Sequence, residues 1–526
     1  MADSNYISRD WVSISATTNR QEMGNTFTNM LYSVSNMIAK EPVYTTWIIF
    51  QIGNKKPLIF NTATTNPKQN LIASLNFKKK GSGTANNFEI TIQYDPFRMG
   101  QNPTDEIELL DEYIAKAMSM EWNEDVEILK GYIQYGYNCS SDAKLVSPKY
   151  EFYLTNASSE VQFDSGLTTY TFEGVSTISA DCDNNTTFGE CKDWDNILQV
   201  VEWTLFYWYG DNAHRPKHLE SGECRDNEYK YRIDIPDEIY QNASGPVTIP
   251  ADSGKTPWEY CQSLLEQYPL TKAEEQQEVY QDLSKLPYNR RPRYEMSITD
   301  VNGVKTIHIA HIKPAAPTVE DEKTGKVIHQ KAEASDVQID YQFTWGKQQR
   351  NIVLGWKPNV DLKLYLIRRA RYLRYKDELA NANGDEKAIL NIKENMTSVE
   401  NEINEMYDAQ LQILGIPCDV PIGAEVTIVP RVLESVSRTA GVYSVKGCED
   451  SINNRGQFVT TLELLRVRGL EEQTEEYKYR EPEPKTLVDA TQAANNYSGG
   501  GAGFSAGRWW RRLLWWWSWT VVELDK

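Results

Sequence analysis

The residues whose types and spacing suggest catalysis are few. Residues 503–507 read GFSAG, which matches the GxSxG pattern around the nucleophilic serine of many hydrolases. That serine requires a strand, a turn and a helix around it and a histidine later in the chain. All five histidines lie upstream of the pattern, the last of them at His329. We therefore interpret the match as chance.

A metal site is the second chemical possibility. His214 and His218 are close in sequence to Cys224, and Cys182 and Cys191 precede them. Imidazole and thiolate groups bind zinc, but these spacings fit no standard zinc site. The residues between the two histidines are Arg, Pro and Lys, which are typical of an exposed loop. We expect no metal and no other cofactor.

No other motif marks an enzyme. Among the 74 Asp and Glu residues, nothing singles out the carboxylate pair that a glycosidase needs. The P-loop, HExxH and Rossmann fingerprints are absent. The seven cysteines include no short-spaced pair, so the sequence predicts no disulfide framework and favours folding in a reducing cytoplasm.

The end of the chain has an unusual composition, with six tryptophans among the eleven residues 509–519. The candidate contact residues are Trp509, Trp510, Arg511, Arg512, Trp515, Trp516, Trp517 and Trp519. Indole favours the bilayer interface and arginine favours anionic headgroups, so the run resembles membrane-active peptides. The alternatives are a plug buried in an assembly and a tail produced by truncation or a shifted reading frame. A protein contact is favoured, because exposed aromatic patches more often mark one.

Length and composition are those of a soluble globular protein of three or four domains, with 526 residues, 40% hydrophobic and 25% charged. The N-terminus has no basic region followed by an apolar core, so no secretory signal is expected. The net charge of −19 argues against a sequence-independent grip on nucleic acid. A negative surface repels DNA, so this charge suits a conduit along which DNA slides. It equally suits general solubility.

Apolar periodicity predicts the elements of the first 180 residues, beyond a polar start of about 40 residues that we leave unassigned. Residues 45–60 predict two strands with a turn at 53–56, and 88–94 predict a half-buried strand. Residues 105–118 predict a helix with acidic residues first and Lys116 near its end. Strands follow from 129, 147 and 161, the last region containing a turn at 164–166. These elements predict a small barrel with one helix.

Residues 181–345 predict a mixed domain. A helix is expected over Trp194–Trp208 with Asp193 as its cap, and another from Thr256-Pro257. Asn302-Gly303 predicts a β-hairpin. Two helices follow, the first over about 360–379; the second carries a heptad seam at Ile389, Ile392, Met396, Val399, Ile403 and Met406. An antiparallel hairpin is favoured over an intermolecular coil. The basic residues of the first helix predict a solvated face rather than a DNA contact: Arg368, Arg369, Arg371, Arg374 and Lys376.

The stretch 415–468 organises the rest of the chain. An entry turn contains Pro417, Pro421 and Gly423, and residues 424–429 (AEVTIV) have strand composition. A strand centred on 441–445 and a turn at 453–456 follow. The last strand, from Phe458, has apolar groups on both faces, as in a small barrel packed against neighbours.

Two sets of motif residues resemble bacteriophage baseplate hub proteins, the tail-tip adapters that include the T-even hub and the late-control protein of contractile phages. The set in the front half is Gly136, Ser147, Pro148 and Gly166. The set near the end is Gly415, Pro417, Gly423, Gly441, Tyr443, Gly456, Phe458 and Arg466. Cys448 stands where the family usually has histidine.

The resemblance implies an α+β, mainly β fold with two small hub-type β-barrels, an inserted mixed α/β domain and a helical hairpin. The domains would be 1–180, the first barrel; 181–345, the insertion; 346–470, the hairpin and second barrel; and 471–526, a linker and Trp-rich tail. Three chains would supply six similar wall segments to a homotrimer in the virion, assembled in the host cytoplasm. Its expected partners are tail tube protein, a spike or tail-tip protein and other baseplate proteins, with transient passage of DNA or tape-measure protein. The role would be structural, in tail assembly and genome ejection. The open alternatives are a tail-associated peptidoglycan hydrolase, with its site in 181–345, and a tip protein that engages membranes.

Overall fold

The computed structural model describes most of the chain up to residue 469. The described residues are 11–12, 14, 19–40, 44–53, 55–61, 72–80, 86–94, 105–119, 130–138, 145–175, 192–227, 229–249, 255–277, 280–281, 283, 291–301, 303–313, 318–320, 327–329, 335–345, 352–359, 362–381, 388–389, 392, 395–396, 409–432, 435–437 and 439–469. All of them belong to one compact unit, residues 1–472.

Strands predominate among the described elements. The first group is β1 Thr45–Ile52, β2 Leu58–Asn61, β3 Ile72–Lys80, β4 Asn87–Tyr94, β5 Lys130–Asn138, β6 Tyr150–Val161 and β7 Thr168–Val175. The second is β8 Lys192–Trp194, β9 Arg232–Asp234, β10 Val247–Ile249, β11 Arg293–Val301, β12 Val304–Ile312, β13 Thr318–Glu320 and β14 Val327–His329. The third is β15 Gln338–Trp345, β16 Val353–Pro358, β17 Ala409–Leu414, β18 Glu425–Val432, β19 Ser435–Val436, β20 Gly441–Asn453 and β21 Phe458–Gly469.

Helices are fewer. They are α1 Arg20–Lys40, α2 Asp105–Met118, α3 Ile197–Tyr209, α4 Asp237–Asn242, α5 Pro257–Gln267, α6 Lys272–Glu275 and α7 Leu362–Ala380, with a 3₁₀ turn at Asn212–His214. The described residues of the second predicted helix of the hairpin (388, 389, 392, 395 and 396) are also helical. The predicted α+β, mainly β class is confirmed.

One large sheet joins the two ends of the chain. Its strand order is β16-β17-β21-β20-β3-β4-β7-β6-β5-β1-β2, and β20 also pairs with β18, which continues to β15 and β19. The link between the two halves is the antiparallel pairing of β3 with β20, from Ser74 opposite Asn453 to Lys80 opposite Gly447. The strands of the two predicted barrels are therefore neighbouring parts of one hydrogen-bonded sheet.

A large hydrophobic core packs against this sheet. Side chains from both halves share it, including Phe50 and Phe77 from the first and Leu411 and Phe458 from the second. Aromatic rings form its centre: Phe77 contacts Tyr150 edge-on with 4.6 Å between ring centroids. Because burial of such rings is a large favourable term, the two halves stabilise each other.

Helix α1 closes the core and was not predicted, although its signal is present in the sequence. Its buried residues recur every three or four positions: Met23, Phe27, Leu31, Val34 and Met37. Asn19 caps it, because the Asn19 side-chain oxygen accepts a hydrogen bond from the Gln21 N–H at 2.8 Å. The buried Arg20 guanidinium donates to both carboxylate oxygens of Asp336, at 2.9 and 3.2 Å, which fixes the helix start beside β15.

The inserted region has its own core. Helices α3 and α5 pack against strands β9, β11 and β12, with Leu205, Tyr260 and Ile307 among the buried residues. The predicted cap of α3 was wrong: Asn196, not Asp193, accepts from the Gln199 N–H. Asp193 instead belongs to β8, which pairs with β10. The predicted Thr256 start of α5 is confirmed by a capping box with Glu259.

The predicted hairpin is formed by β11 and β12, and Asp300 near the end of β11 contacts β6 of the large sheet. Gly303 has φ of 80°, the left-handed conformation that the Asn-Gly signal predicts. Asp300 accepts hydrogen bonds from the Gly303 N–H at 3.1 Å and from the Glu151 N–H at 3.3 Å. Burial raises the pKa of Asp300 to about 7, although the neighbouring Lys305 lowers it.

We expect this attachment to weaken as pH rises from about 4 to about 7. Between these pH values the Asp300 carboxyl is protonated in the folded protein, where its pKa is about 7, and ionised in the unfolded chain, where its pKa is 3.8. The stabilisation is therefore complete in acid and is lost as the pH rises through the folded-state pKa. The full effect on the free energy of unfolding is on the order of 4 kcal/mol. Thermal unfolding midpoints of the wild type and Asp300→Asn, compared from about pH 4 to 8, measure it. The wild-type midpoint should fall relative to that of the variant, and a constant difference would contradict the assignment.

The hairpin of β6 and β7 projects from the sheet. Strand β5 pairs with β6 only as far as Tyr153, so residues 154–161 are paired on one side only, with β7, among the described strands. The residues from Thr155 to Val161 are mostly exposed, and Phe163 in the turn is 97% exposed. The hairpin therefore presents an open strand edge and an apolar tip to solvent.

Candidate functional site

The motif glycines that end turns have the backbone conformation that requires glycine. Gly166, Gly423 and Gly456 have φ of 68°, 86° and 73°. Gly166 lies in the turn between β6 and β7, Gly423 precedes β18 and Gly456 lies between β20 and β21. Their types are therefore explained by backbone geometry.

Two tyrosines on either side of Gly136 of the first motif set meet Gly415 and Phe458 of the second set in one buried junction. The Tyr137 hydroxyl in β5 donates to the Gly415 carbonyl at 2.9 Å, and the Gly415 N–H donates to the Phe458 carbonyl at 2.9 Å. The Phe458 ring lies 5.4 Å from the Tyr137 ring and 5.5 Å from the Tyr135 ring, between centroids. A Cβ on Gly415 would lie 2.0 Å from the Phe458 ring, so only glycine fits.

Ser147 and Gly136 fix the strand that carries these tyrosines. The Ser147 hydroxyl accepts from the Tyr135 N–H at 3.0 Å and donates to the Pro148 carbonyl at 2.9 Å. A Cβ on Gly136 would lie 2.4 Å from the Leu145 carbonyl oxygen. These residues hold the segment 145–148 against β5, so their role is structural.

The remaining motif residues of the second set also occupy structural positions. Gly441 begins β20, and the Tyr443 hydroxyl donates to the Thr439 carbonyl at 2.6 Å. Arg466 lies opposite Tyr443 in the pairing of β20 with β21. Pro417 is buried in the turn before β18.

A buried polar cluster, which we call the Lys79 cluster, lies beside this junction and was not predicted. The Lys79 ammonium is 3.2 Å from Asp419 Oδ1 and 3.4 Å from Asp450 Oδ2. It also donates to the Tyr150 hydroxyl at 3.0 Å. Tyr150 donates to Asp419 Oδ1 at 2.9 Å, and Tyr135 donates to Asp450 Oδ2 at 2.5 Å. The cluster thus joins β3, β5 and β6 to the turn before β18 and to β20.

Burial and charge set the protonation of the Lys79 cluster. Burial raises the pKa of Asp450, against Lys79 and the hydrogen bonds from Thr460 and Tyr135, which lower it. Burial disfavours the Lys79 ammonium, but Tyr135, Asp419 and Asp450 outweigh it, and the pKa of Lys79 is raised. Burial likewise raises the pKa of Cys448, the residue in the position of the family's histidine, so it is a neutral thiol. Cys448 lies opposite Lys79 in the pairing of β20 with β3.

The two histidines that were considered as metal ligands in the sequence form hydrogen bonds to protein side chains. His214 contacts Asp211 at 2.6 Å and Arg232 at 2.9 Å through its two ring nitrogens. His218 contacts Glu202 at 3.1 Å and Asp237 at 2.8 Å. Within the described ranges no group of His, Cys, Asp and Glu has the arrangement of a metal site. Cys182 and Cys191 lie outside those ranges.

The Trp-rich segment from Trp509 to Trp519, and the GFSAG pattern at 503–507, also lie outside the described residues. Among the helices that the structure describes, none has the length and apolar character to cross a bilayer.

Comparison with known proteins gives only distant structural similarity. No protein-family profile and no curated protein sequence matches this chain. A component of the Escherichia coli type VI secretion system, described as structurally similar to the bacteriophage T4 tail proteins gp27 and gp5, aligns with 78% of this chain and 76% of its own. Its TM-score is 0.34 and its identity 9%.

Two tail proteins align similarly. The 43 kDa tail protein of prophage MuSo2 from Shewanella oneidensis has a TM-score of 0.34 and 10% identity, covering 80% of this chain and 96% of its own. A tail protein from Neisseria meningitidis MC58 has a TM-score of 0.34 and 8% identity, covering 80% and 96%. No functional conclusion follows from similarity at this level.

Proposed function

We propose that this protein is a structural hub of a bacteriophage baseplate or tail tip. The observation that carries the proposal is the junction of Tyr137, Gly415 and Phe458. The two motif sets that resemble hub proteins are more than 200 residues apart in the sequence, and Tyr137, the neighbour of Gly136 of the first set, contacts Gly415 and Phe458 of the second set in the core. This arrangement supports a resemblance of one structural unit rather than of two unrelated short patterns.

Assembly follows from symmetry. A homotrimer with two strand-rich regions per chain presents six segments, which matches a hexameric tail tube on one side and a trimeric spike or tip protein on the other. The open edge of β6 at residues 154–161 supports contact between copies, because a neighbouring strand would cover it. The net charge of −19 suits a channel that DNA or tape-measure protein passes through. The hub would be assembled in the host cytoplasm, joined by other baseplate proteins, and carried in the virion.

The test is the state of assembly. We expect light scattering on the purified chain to give the mass of three copies. Electron microscopy of a mixture with tail tube protein should show ring-shaped particles. A monomer that never joins tube protein would refute the proposal.

The enzyme alternative has one best candidate in the inserted region. Burial raises the pKa of Glu202, against the hydrogen bond from His218, and a raised carboxyl pKa is a property of general acids. The same contacts also serve to attach α3 to α4, which is the simpler explanation. Clearing of peptidoglycan in a zymogram that is abolished by Glu202→Gln would establish a hydrolase.

The membrane alternative depends on the tryptophans from Trp509 to Trp519. Leakage from anionic liposomes, compared between the full chain and one lacking residues 508–526, distinguishes it. Leakage that depends on the segment would support engagement of membranes, and equal leakage would remove this alternative.

A further inference from the structure

The Lys79 cluster contains the two groups of a condensation reaction, an amine and a carboxyl, as well as an ion pair. Lys79 lies 3.2 Å from Asp419 Oδ1, and the second carboxyl, Asp450, contacts the same nitrogen at 3.4 Å. All three side chains are buried, and the Lys79 nitrogen lies 4.8 Å from the centre of the Phe77 ring and 5.0 Å from that of Tyr150. An amine and a carboxyl held together away from water have a high effective concentration.

One atom in the cluster has an unfavourable environment. Asp419 Oδ2 is buried and accepts no hydrogen bond from any residue that the structure describes, whereas Oδ1 accepts from Tyr150. A buried carboxylate oxygen without a partner costs free energy. Condensation of the carboxyl with an amine would remove one of its oxygens, together with the buried pair of charges.

We propose that Lys79 and Asp419 form an intramolecular isopeptide bond in the folded protein, with Asp450 as the proton carrier. This inference stands on the cluster itself and is independent of the proposed function. The bond would link β3 covalently to the turn before β18, across the junction of the two halves.

The atoms balance without a further reactant. The Lys79 ammonium gives one proton through Asp450 to Oδ2 of the Asp419 carboxyl, and the freed lone pair of Nζ forms the bond to Cγ. The carbonyl electrons move to Oδ1, where the Tyr150 hydroxyl donates a hydrogen bond. A second proton passes from Nζ through Asp450 to Oδ2, the carbonyl reforms, and Oδ2 leaves as water. Three ammonium hydrogens thus become one amide hydrogen and two in water.

Each neighbour has a defined part in this step. Burial raises the pKa of Asp450, which suits a group that accepts and returns a proton. Thr460 and Tyr135 donate to Asp450 at 2.5 Å each and hold it in position. The pKa of Lys79 is raised, so its nitrogen carries a proton before the reaction. That proton must leave before the nitrogen can attack Cγ, and we therefore expect bond formation to be slow.

Intact mass spectrometry of the full chain is the test. We expect the protein to be lighter than its sequence by one water, about 18 Da, at purification or after a day at neutral pH. Tryptic digestion should give a branched peptide that contains Lys79 and Asp419, with no cleavage after Lys79. An unmodified mass after that day, or a mass loss located elsewhere, would overturn the proposal.

Variants identify the roles. Lys79→Met and Asp419→Ala should have their full mass, and Asp450→Asn should lose most of the modification. Lys78→Met is the matched control, because Lys78 is the exposed neighbour in the same strand and its removal should leave the mass loss unchanged. Loss of the branched peptide in Lys78→Met, or its retention in Asp450→Asn, would contradict the mechanism.

Discussion

Lys79→Met is expected to lower the free energy of unfolding by about 3–5 kcal/mol. The variant leaves Asp419 and Asp450 buried together without the ammonium that compensates them. Methionine has a similar length, so the loss reports charge rather than volume. Calorimetric unfolding of Lys79→Met and of the wild type at neutral pH measures this difference in stability. Where the isopeptide bond has formed, the variant loses that covalent link in place of the ion pair.

The matched control is Lys55→Met. Lys55 and Glu112 also form an ion pair, with 2.9 Å between Nζ and Oε1, but their side chains are 39% and 66% exposed. Exposed pairs contribute less than about 1 kcal/mol. Equal effects of the two substitutions would show that burial of the Lys79 cluster has no energetic consequence.

Gly415→Ala is expected to destabilise the protein by about 3 kcal/mol or more. The new Cβ would lie 2.0 Å from the Phe458 ring, and that ring is enclosed by Tyr135 and Tyr137. Strand β21 must therefore shift relative to the turn before β18. If the chain forms the proposed trimer, the variant should also form less of it, because the junction of the two halves is disturbed. Soluble yield, unfolding midpoint and mass in solution are the measurements.

Gly355→Ala in β16 is the control for this change. Its Cβ would lie 3.1 Å from the terminal oxygen of Gln412, a flexible side chain that can move away. We expect little loss of stability from it. A small effect of Gly415→Ala would mean that β21 is free to move, against the packing described above.

Local signals at both ends of an element made it predictable. Helix α2 begins at Asp105 and ends at Met118 as expected, because acidic residues begin it and Lys116 lies in its last turn. The cap of α3 was misplaced, because Asp193 is taken into the pairing of β8 with β10, and sequence alone does not reveal that pairing. Helix α1 has regularly spaced apolar residues, but the many polar residues between them led us to leave this segment unassigned.

The site was less predictable than the elements around it. The motif glycines identified the junction, since close contacts and left-handed turns restrict residue type. Lys79 lies in the run Phe-Lys-Lys-Lys, which is typical of a solvated edge. Only the two-residue period of β3, with Leu75, Phe77 and Lys79 all buried, indicates that it faces inward. Its carboxylate partners lie more than 300 residues away, as the separation of 371 positions between Lys79 and Asp450 illustrates, so no local pattern indicates them.

The projecting hairpin has a consequence for the lone chain. Among the described strands, β6 has no neighbour on one side along residues 154–161, beside an apolar tip at Phe163, and such an edge can pair with any extended segment that reaches it first. In the proposed trimer this edge would be covered by a second copy, and before assembly it is open to incorrect pairing. We therefore expect higher soluble yield when the chain is synthesised together with its proposed partners than when it is made alone.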